Sequence, residues 1–318
     1  MKALITGISG FVGSHLAEHL LAAGDAVLGA TRDGDRPEFL AGEVGIVAWD
    51  MATHDASGAI FDAVQTFAPD VIYHLAAMSI PQDCGTAEPS AMAEALNVGG
   101  VRRVLELAEK LAKRPRVVFT SSSHVYAVEP SRMIVAETAP LLPRNAYGRT
   151  KLAAEQLCET AVRGGTDVVV VRSFAQAGPR QDPRLMLAEW ARQFAGNESE
   201  IHVGNLHVTV DVVDVHDSVR ALRVLALEGE SGAIYNVGSG RATTTGELFQ
   251  LLRSAAGDER PVVERDQTPR FDPIADVSKL TARTGWRPAV SSAEMVASVW
   301  EYWRARATSE QPQQQQQQ

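Results

Sequence analysis

Cysteine is almost absent from this chain: Cys84 and Cys158 are the only two among 318 residues. Two thiols so far apart supply neither a disulfide framework nor a zinc site, and they suit a reducing compartment. Long apolar runs are missing as well. None approaches the ~20 residues that span a bilayer, and Ala3-Leu4-Ile5 lead straight into a glycine turn instead of the longer apolar core of a secretory signal. A basic surplus is also lacking, since 30 Lys and Arg face 39 Asp and Glu for a net charge of -9. General nucleic-acid binders need a basic face to neutralise phosphates, so that class is set aside. A small anionic ligand needs only a few well-placed donors and stays open. The expectation is a cytoplasmic protein with no nucleic-acid, membrane or metal partner.

What is present is a core-forming composition, 45% hydrophobic and 22% charged, in a chain long enough for roughly two domains. Short apolar runs at 2–6, Ala26–Ala30, Val44–Trp49, Val71–Leu75, Arg116–Thr120 and Asp167–Arg172 read as strands. Between them, helical spacing recurs at Phe11–Ala23, Ala56–Phe67, Pro89–Ala112 and Arg144–Val162. Such alternation predicts an α/β fold, a Rossmann-type doubly wound parallel sheet over residues 1–172. Beyond Arg172 glycine and proline become frequent, and helices are expected at Leu185–Ala195, Asp217–Leu227, Thr245–Ala256 and Ser291–Arg304. This second stretch, 173–308, predicts a smaller α/β substrate-binding lobe, interleaved with the sheet domain, to which the chain returns around 207–238. Residues 309–318 end in Gln313–Gln318 and cannot pack a core, so a disordered tail is expected there.

Gly7, Gly10 and Gly13 follow the first strand and open a helix, the setting a dinucleotide fingerprint requires. Ser9, Phe11 and Val12 fall within the same turn. Glycines let the backbone approach a pyrophosphate that rests on the helix N-terminus. The end of the second strand decides between NAD(H) and NADP(H). An acidic residue there would bind the ribose hydroxyls and repel a 2′-phosphate. Thr31-Arg32 stands there instead, and the guanidinium can pair with that phosphate, which favours NADP(H). Two alternatives remain: Asp33 turning inward to the ribose, and Arg32 lying in solvent.

Tyr147 and Lys151 lie four residues apart, so on a helix they share a face. A free phenol has a pKa of about 10, and a nearby cation lowers a pKa by about 1–3. The expectation is a phenol made more acidic by Lys151 and able to exchange a proton. A lone Tyr-x-x-x-Lys is more often an ordinary helix pair. The glycine turn upstream and the strand end Ser121-Ser122-Ser123 favour the functional reading here.

These motifs, together with His74-Leu75-Ala76-Ala77, Asn97-Val98-Gly99, Thr120 to Tyr126, Tyr235 to Gly240 and Thr284 to Pro288, resemble the extended short-chain dehydrogenase/reductase family. Most of its members act on nucleotide sugars. The likeness covers nearly the whole chain apart from the tail. It implies that Ser122 hydrogen-bonds the reacting oxygen, Tyr147 gives or takes its proton, and Lys151 binds the nicotinamide ribose. Asp50 and Met51 are implied near the adenine, and Leu75, Ala76 and Ala77 along the cofactor backbone. Val203-Gly204-Asn205-Leu206 and Thr31-Arg32 are similar to the branch that reduces GDP-linked 4-keto-6-deoxy sugars with NADPH. A homodimer through Pro89–Ala112 and Arg144–Val162 is implied by the same likeness.

For the substrate, the resemblance implies Ser79, Ser123, Gln176, Arg180 and Arg270. Two family positions differ: Ala175, followed by Gln176, stands where an asparagine is usual, and Val210 replaces a diphosphate-binding arginine. Loss of one charge-assisted donor costs roughly 1.5–3 kcal/mol if nothing replaces it, and Arg270, Arg180 and Arg184 are the available replacements. His124 stands where dehydratases of the family carry a glutamate. It has two readings, an acid/base or a polar residue that only shapes the pocket. The expected activity is reduction of a 4-keto-6-deoxy nucleotide sugar. A nucleotide-sugar epimerase or dehydratase retaining NAD(P), and a reductase of a ketone without a nucleotide, are the alternatives. A cofactor-sensing protein without catalysis is disfavoured because Tyr147 and Lys151 are both present.

Overall fold

The computed structural model describes residues 1–40, 42, 44–129 and 133–315, with residues 309–315 described by backbone alone. Seven strands form one parallel sheet: β1 Lys2–Thr6, β2 Ala26–Thr31, β3 Gly45–Ala48, β4 Val71–His74, β5 Arg116–Ser122, β6 Val168–Ser173 and β7 Ile234–Val237. Their spatial order is β7-β6-β5-β4-β1-β2-β3. Alternate residues of each strand enter opposite cores. Ala3, Ile5, Tyr73, Val118 and Val169 pack into one, and Leu4, Ile72, Val117, Phe119 and Val168 into the other. With both faces buried, the strands read as continuous apolar runs.

The longer helices around the sheets are α1 Phe11–Ala22, α2 Ala59–Phe67, α3 Gly99–Lys110, α4 Ala146–Arg163, α5 Met186–Ala195, α6 Val215–Glu228, α7 Thr245–Ala256 and α8 Ser292–Gln315. The chain winds from β1 outward to β3, then crosses to β4 on the other side of β1. That reversal opens a crevice beyond the carboxyl ends of β1 and β4, where doubly wound sheets bind ligands. The Thr6 hydroxyl spans the crevice floor, accepting from the backbone N–H groups of Leu75 (3.2 Å) and Ala76 (3.3 Å).

The helix expected over Pro89–Ala112 begins later and is broken in style. Ser90 caps Ala91–Ala93, a π-helical turn fills Glu94–Val98, and α3 ends at Lys110. The π turn carries Asn97, whose amide donates to the Met78 carbonyl and the Thr150 hydroxyl, both at 3.0 Å. This ties the loop after β4 to α4. Within the stretch expected to return to the sheet, α6 packs on α1 and β7 joins β6. Val208–Val210 instead pairs with Thr243–Thr244 and Arg270–Phe271 in a separate small sheet.

Leu187, Trp190, Phe194, Phe249, Leu252, Val299 and Trp303 form the core beneath α5, α7 and α8. The last helix runs on to Gln315, so residues 309–315 are helical where no structure was expected. Extending an existing helix needs no new nucleus, while Pro312 brings no N–H to this last stretch. Residues 316–318, the rest of the expected tail, lie outside the described residues. Among the described residues no helix is long and apolar enough to cross a membrane.

Candidate active site

A cavity of about 1460 Å³ occupies the crevice and extends beneath α5. Its floor is the glycine turn. Gly7 has φ +70°, and a Cβ there would stand 2.7 Å from the Ala76 nitrogen. A side chain at Gly13 would collide with the Gly7 carbonyl oxygen. The turn therefore packs backbone against backbone and leaves the N-terminus of α1 open to the cavity. Ser9, Gly10, Phe11 and Val12 line it, as do Leu75, Ala76 and Ala77 after β4.

Thr31, Arg32, Asp50 and Met51 line the far end beyond β2. The Thr31 hydroxyl is buried with no hydrogen-bond partner among the described residues. Arg32 makes no hydrogen bond or ion pair among them. A buried hydroxyl left unsatisfied costs about 1–3 kcal/mol, so an orphan next to the Arg32 guanidinium fits a polar ligand group. Asp50 accepts from the Ala52 N–H at 3.0 Å, a bond that holds its carboxyl below the usual range. Its charge is thus kept in place at this end. These residues fit a nicotinamide dinucleotide, with its pyrophosphate on the α1 turn.

The middle of the cavity holds Ser122, Tyr147 and Lys151. Asn145 caps α4 by accepting from the Gly148 N–H at 2.8 Å, and the next helical turns aim Tyr147 and Lys151 inward. The Lys151 ammonium donates to the Thr120 carbonyl at 2.9 Å and lies 5.8 Å from the Tyr147 ring centre. The expected acidification of the phenol does not occur. Burial pushes the Tyr147 pKa up to about 12, against a smaller lowering from the Ser122 hydrogen bond. Burial also pulls Lys151 down to about 8. Desolvation disfavours each charged form more than the pair assists it, because the ammonium is turned to Thr120. Tyr147 is a protonated donor and Lys151 a cation at neutral pH, an arrangement suited to giving a proton.

The substrate side of the cavity is lined by Ser79, Ser123, His124, Gln176 and Arg180. Gln176 donates to the Ser173 hydroxyl and leaves its Oε1 buried without a partner among the described residues. It thus offers an acceptor. Arg180 lines the wall with its charge already met, since both Glu18 oxygens lie 2.7 Å from its terminal nitrogens. Arg184 is likewise bound to Asp83 and Asp182. Arg270 is not at the cavity. It sits on the small sheet opposite Val208, exposed and paired with Asp266 at 3.0 Å, and the chain reaches the wall only at Asp272 and Pro273. Among the described residues no cluster of three His, Cys, Asp or Glu side chains is arranged to hold a metal.

Sequence reasoning passed over Asn145, Arg144 and Asp272. Asn145 had a readable signal, an asparagine just before a helix. The Arg144–Asp272 pair, at 3.2 Å, joins residues far apart in sequence and had none.

Residues 3–238 match the NAD dependent epimerase/dehydratase family. The chain belongs to this family. It is similar to the GDP-6-deoxy-D-mannose reductase of Pseudomonas aeruginosa, 29% identical over 97% of this chain and 99% of the relative. It is also similar to the UDP-glucose 4-epimerase of Streptomyces lividans, 30% identical over 95% of each. Among solved structures, RMD from Pseudomonas aeruginosa complexed with NADPH superposes with a TM-score of 0.81 at 28% identity, covering 96% of this chain and 99% of that one. A Thermus thermophilus UDP-glucose 4-epimerase complex with NAD gives 0.82 at 27% identity, with the same coverage. The protein is therefore an NAD(P)-dependent enzyme of the extended short-chain type, in a family whose members epimerise, dehydrate or reduce nucleotide sugars.

Proposed function

We propose that the protein reduces a 4-keto-6-deoxy nucleotide sugar, GDP-linked, to the 4-hydroxy sugar with NADP(H). The observation that carries this reading is the meeting of Ser122, Tyr147 and Lys151 in the middle of the cavity, beyond the glycine turn. A ketone gaining hydride at carbon needs a proton at oxygen, and the Tyr147 phenol beside Ser122 is placed to give it. A reduced nicotinamide supplies the hydride. Ser122 and Tyr147 hold the ketone oxygen, and Tyr147 passes its proton to that oxygen as the carbon is reduced. Lys151 binds the cofactor ribose and keeps a positive charge near the oxygen as negative charge develops there.

The phosphorylated cofactor is supported by the unpartnered Thr31 hydroxyl and by the Arg32 guanidinium that lines the same end of the cavity. The GDP-linked substrate is supported by similarity to the Pseudomonas aeruginosa reductase along almost the full chain. We place Met51, Ala77, Ser79, Ser123 and Gln176 as further contacts, the first two to cofactor and the others to sugar. A cytoplasmic homodimer joined through α3 and α4 completes the proposal, and light scattering at micromolar concentration tests its oligomeric part.

A second reading has one observation in its favour. Arg144 and Arg180 line the substrate side, but Asp272 and Glu18 already neutralise them, and Val210 contributes no charge. That wall suits a ketone without a diphosphate. Following NADPH and NADH absorbance against GDP-, dTDP- and UDP-linked 4-keto sugars and simple ketones separates the two. Turnover restricted to a keto-sugar nucleotide supports the first reading; turnover of simple ketones alone overturns it.

A further inference from the structure

The geometry points to Asn145 as a positioning residue that fixes His124 as a neutral hydrogen-bond donor, with its proton on Nε2, and thereby keeps it out of proton transfer. Asn145 Oδ1 receives the Gly148 backbone N–H at 2.8 Å. Only an oxygen can receive an N–H, so the amide is not free to flip. Its NH2 group then faces His124 Nδ1 at 2.8 Å. Since that group only donates, Nδ1 must present its lone pair, and the neutral ring carries its proton on Nε2. Nε2 is the nitrogen left for the cavity that His124 lines.

The contact is enforced from several sides. A Cβ at Gly148 would collide with the His124 carbonyl and stand 3.0 Å from Pro143 Cβ, so glycine lets α4 close on the His124 turn. The His124 N–H donates to Ser122 Oγ at 3.2 Å, and the imidazole meets the Tyr147 ring edge-to-face at 5.5 Å between centres.

Charging the ring would set an Nδ1–H against the amide NH2, two donors head-on. Desolvation by the surrounding turn lowers the His124 pKa most, Asp272 and the Asn145 contact oppose it, and Arg144 adds to the lowering. The Asn145 contribution raises the value only if its oxygen faces the ring, and the helix cap denies Asn145 that orientation. His124 therefore offers one N–H to an oxygen of the substrate near the reacting carbonyl. It supplies no acid or base for epimerisation or dehydration. This rests on the reductase reading for its substrate, while the tautomer stands on geometry alone.

Long-range 1H–15N NMR on the full chain with 15N-labelled histidine tests it. The chain has eight histidines, and loss of one signal set in H124Q assigns His124. The expected spectrum shows an unprotonated Nδ1, a protonated Nε2, and titration below the ordinary value of 6.5. N145D keeps an oxygen for the helix cap but turns a carboxylate oxygen to Nδ1. It should move the proton to Nδ1 and raise the titration while α4 stays folded by circular dichroism. In kcat/KM, H124L, which has no donor, should lose about tenfold, and H124Q, which has one, should restore part of that loss. A protonated Nδ1 in the wild-type chain, or an N145D spectrum unchanged in tautomer and titration, would overturn the assignment. The NMR result holds whatever ketone the enzyme reduces, so failure of the substrate reading is seen separately, in the absorbance assay.

Discussion

The Lys151 ammonium is anchored to the Thr120 carbonyl at 2.9 Å, in a buried position between two aromatic rings. The Phe119 and Tyr147 ring centres lie 5.2 and 5.8 Å from it. The charge that the chemistry uses is therefore held against its solvation preference.

Replacing that lysine should stabilise the fold while disabling the enzyme. Its pKa falls from 10.5 to about 8 on folding, so the buried charge costs up to roughly 3 kcal/mol at neutral pH, less the bond to Thr120. The group's folded pKa lies below its unfolded one. Between about 8 and 10.5 the unfolded chain binds more protons, and stability from this group rises with pH across that window. K151M should thus melt higher than wild type at pH 7, with the gap shrinking above pH 8. A K151M that melts lower at pH 7 contradicts this account of the site.

Arg32 should read the cofactor phosphate. R32A should raise the KM for NADPH about 10- to 100-fold, the loss of one charge-assisted bond, and change the KM for NADH less than about threefold. Equal losses with both cofactors would move Arg32 to a part they share, and no effect on either would place it in solvent.

Behind the catalytic strand, Arg172 and Glu155 form a buried pair. Glu155 accepts from Arg172 at 2.7 and 3.0 Å and from the Ser121 hydroxyl at 2.5 Å. E155L leaves a guanidinium buried without its counter-charge and should cost about 3–5 kcal/mol in urea denaturation. The double variant E155L/R172L should recover a large part of that loss. If the double variant is no more stable than E155L, the loss is one of packing and not of an uncompensated charge.

The readable parts of the site were those set by local geometry. Gly7, Gly10 and Gly13 announce a turn wherever they follow a strand, and the four-residue spacing of Tyr147 and Lys151 fixes a shared helix face. The titration of that pair was misjudged because it depends on how Phe119 and Thr120 enclose the ammonium, a tertiary fact absent from spacing. Arg270 stands apart from the cavity wall for a similar reason. Its strand pairs with Val208–Val210, and register between distant short strands leaves no trace in either segment. The Asn145–His124 contact bridges α4 and the end of β5, so both residues were visible but their meeting was not.

The most direct test is single-turnover oxidation of NADPH by Y147F with a GDP-linked 4-keto-6-deoxy sugar. The account predicts a rate lower by about 10²- to 10⁴-fold, with NADPH affinity unchanged within about threefold. A Y147F enzyme that turns over at the wild-type rate would contradict it.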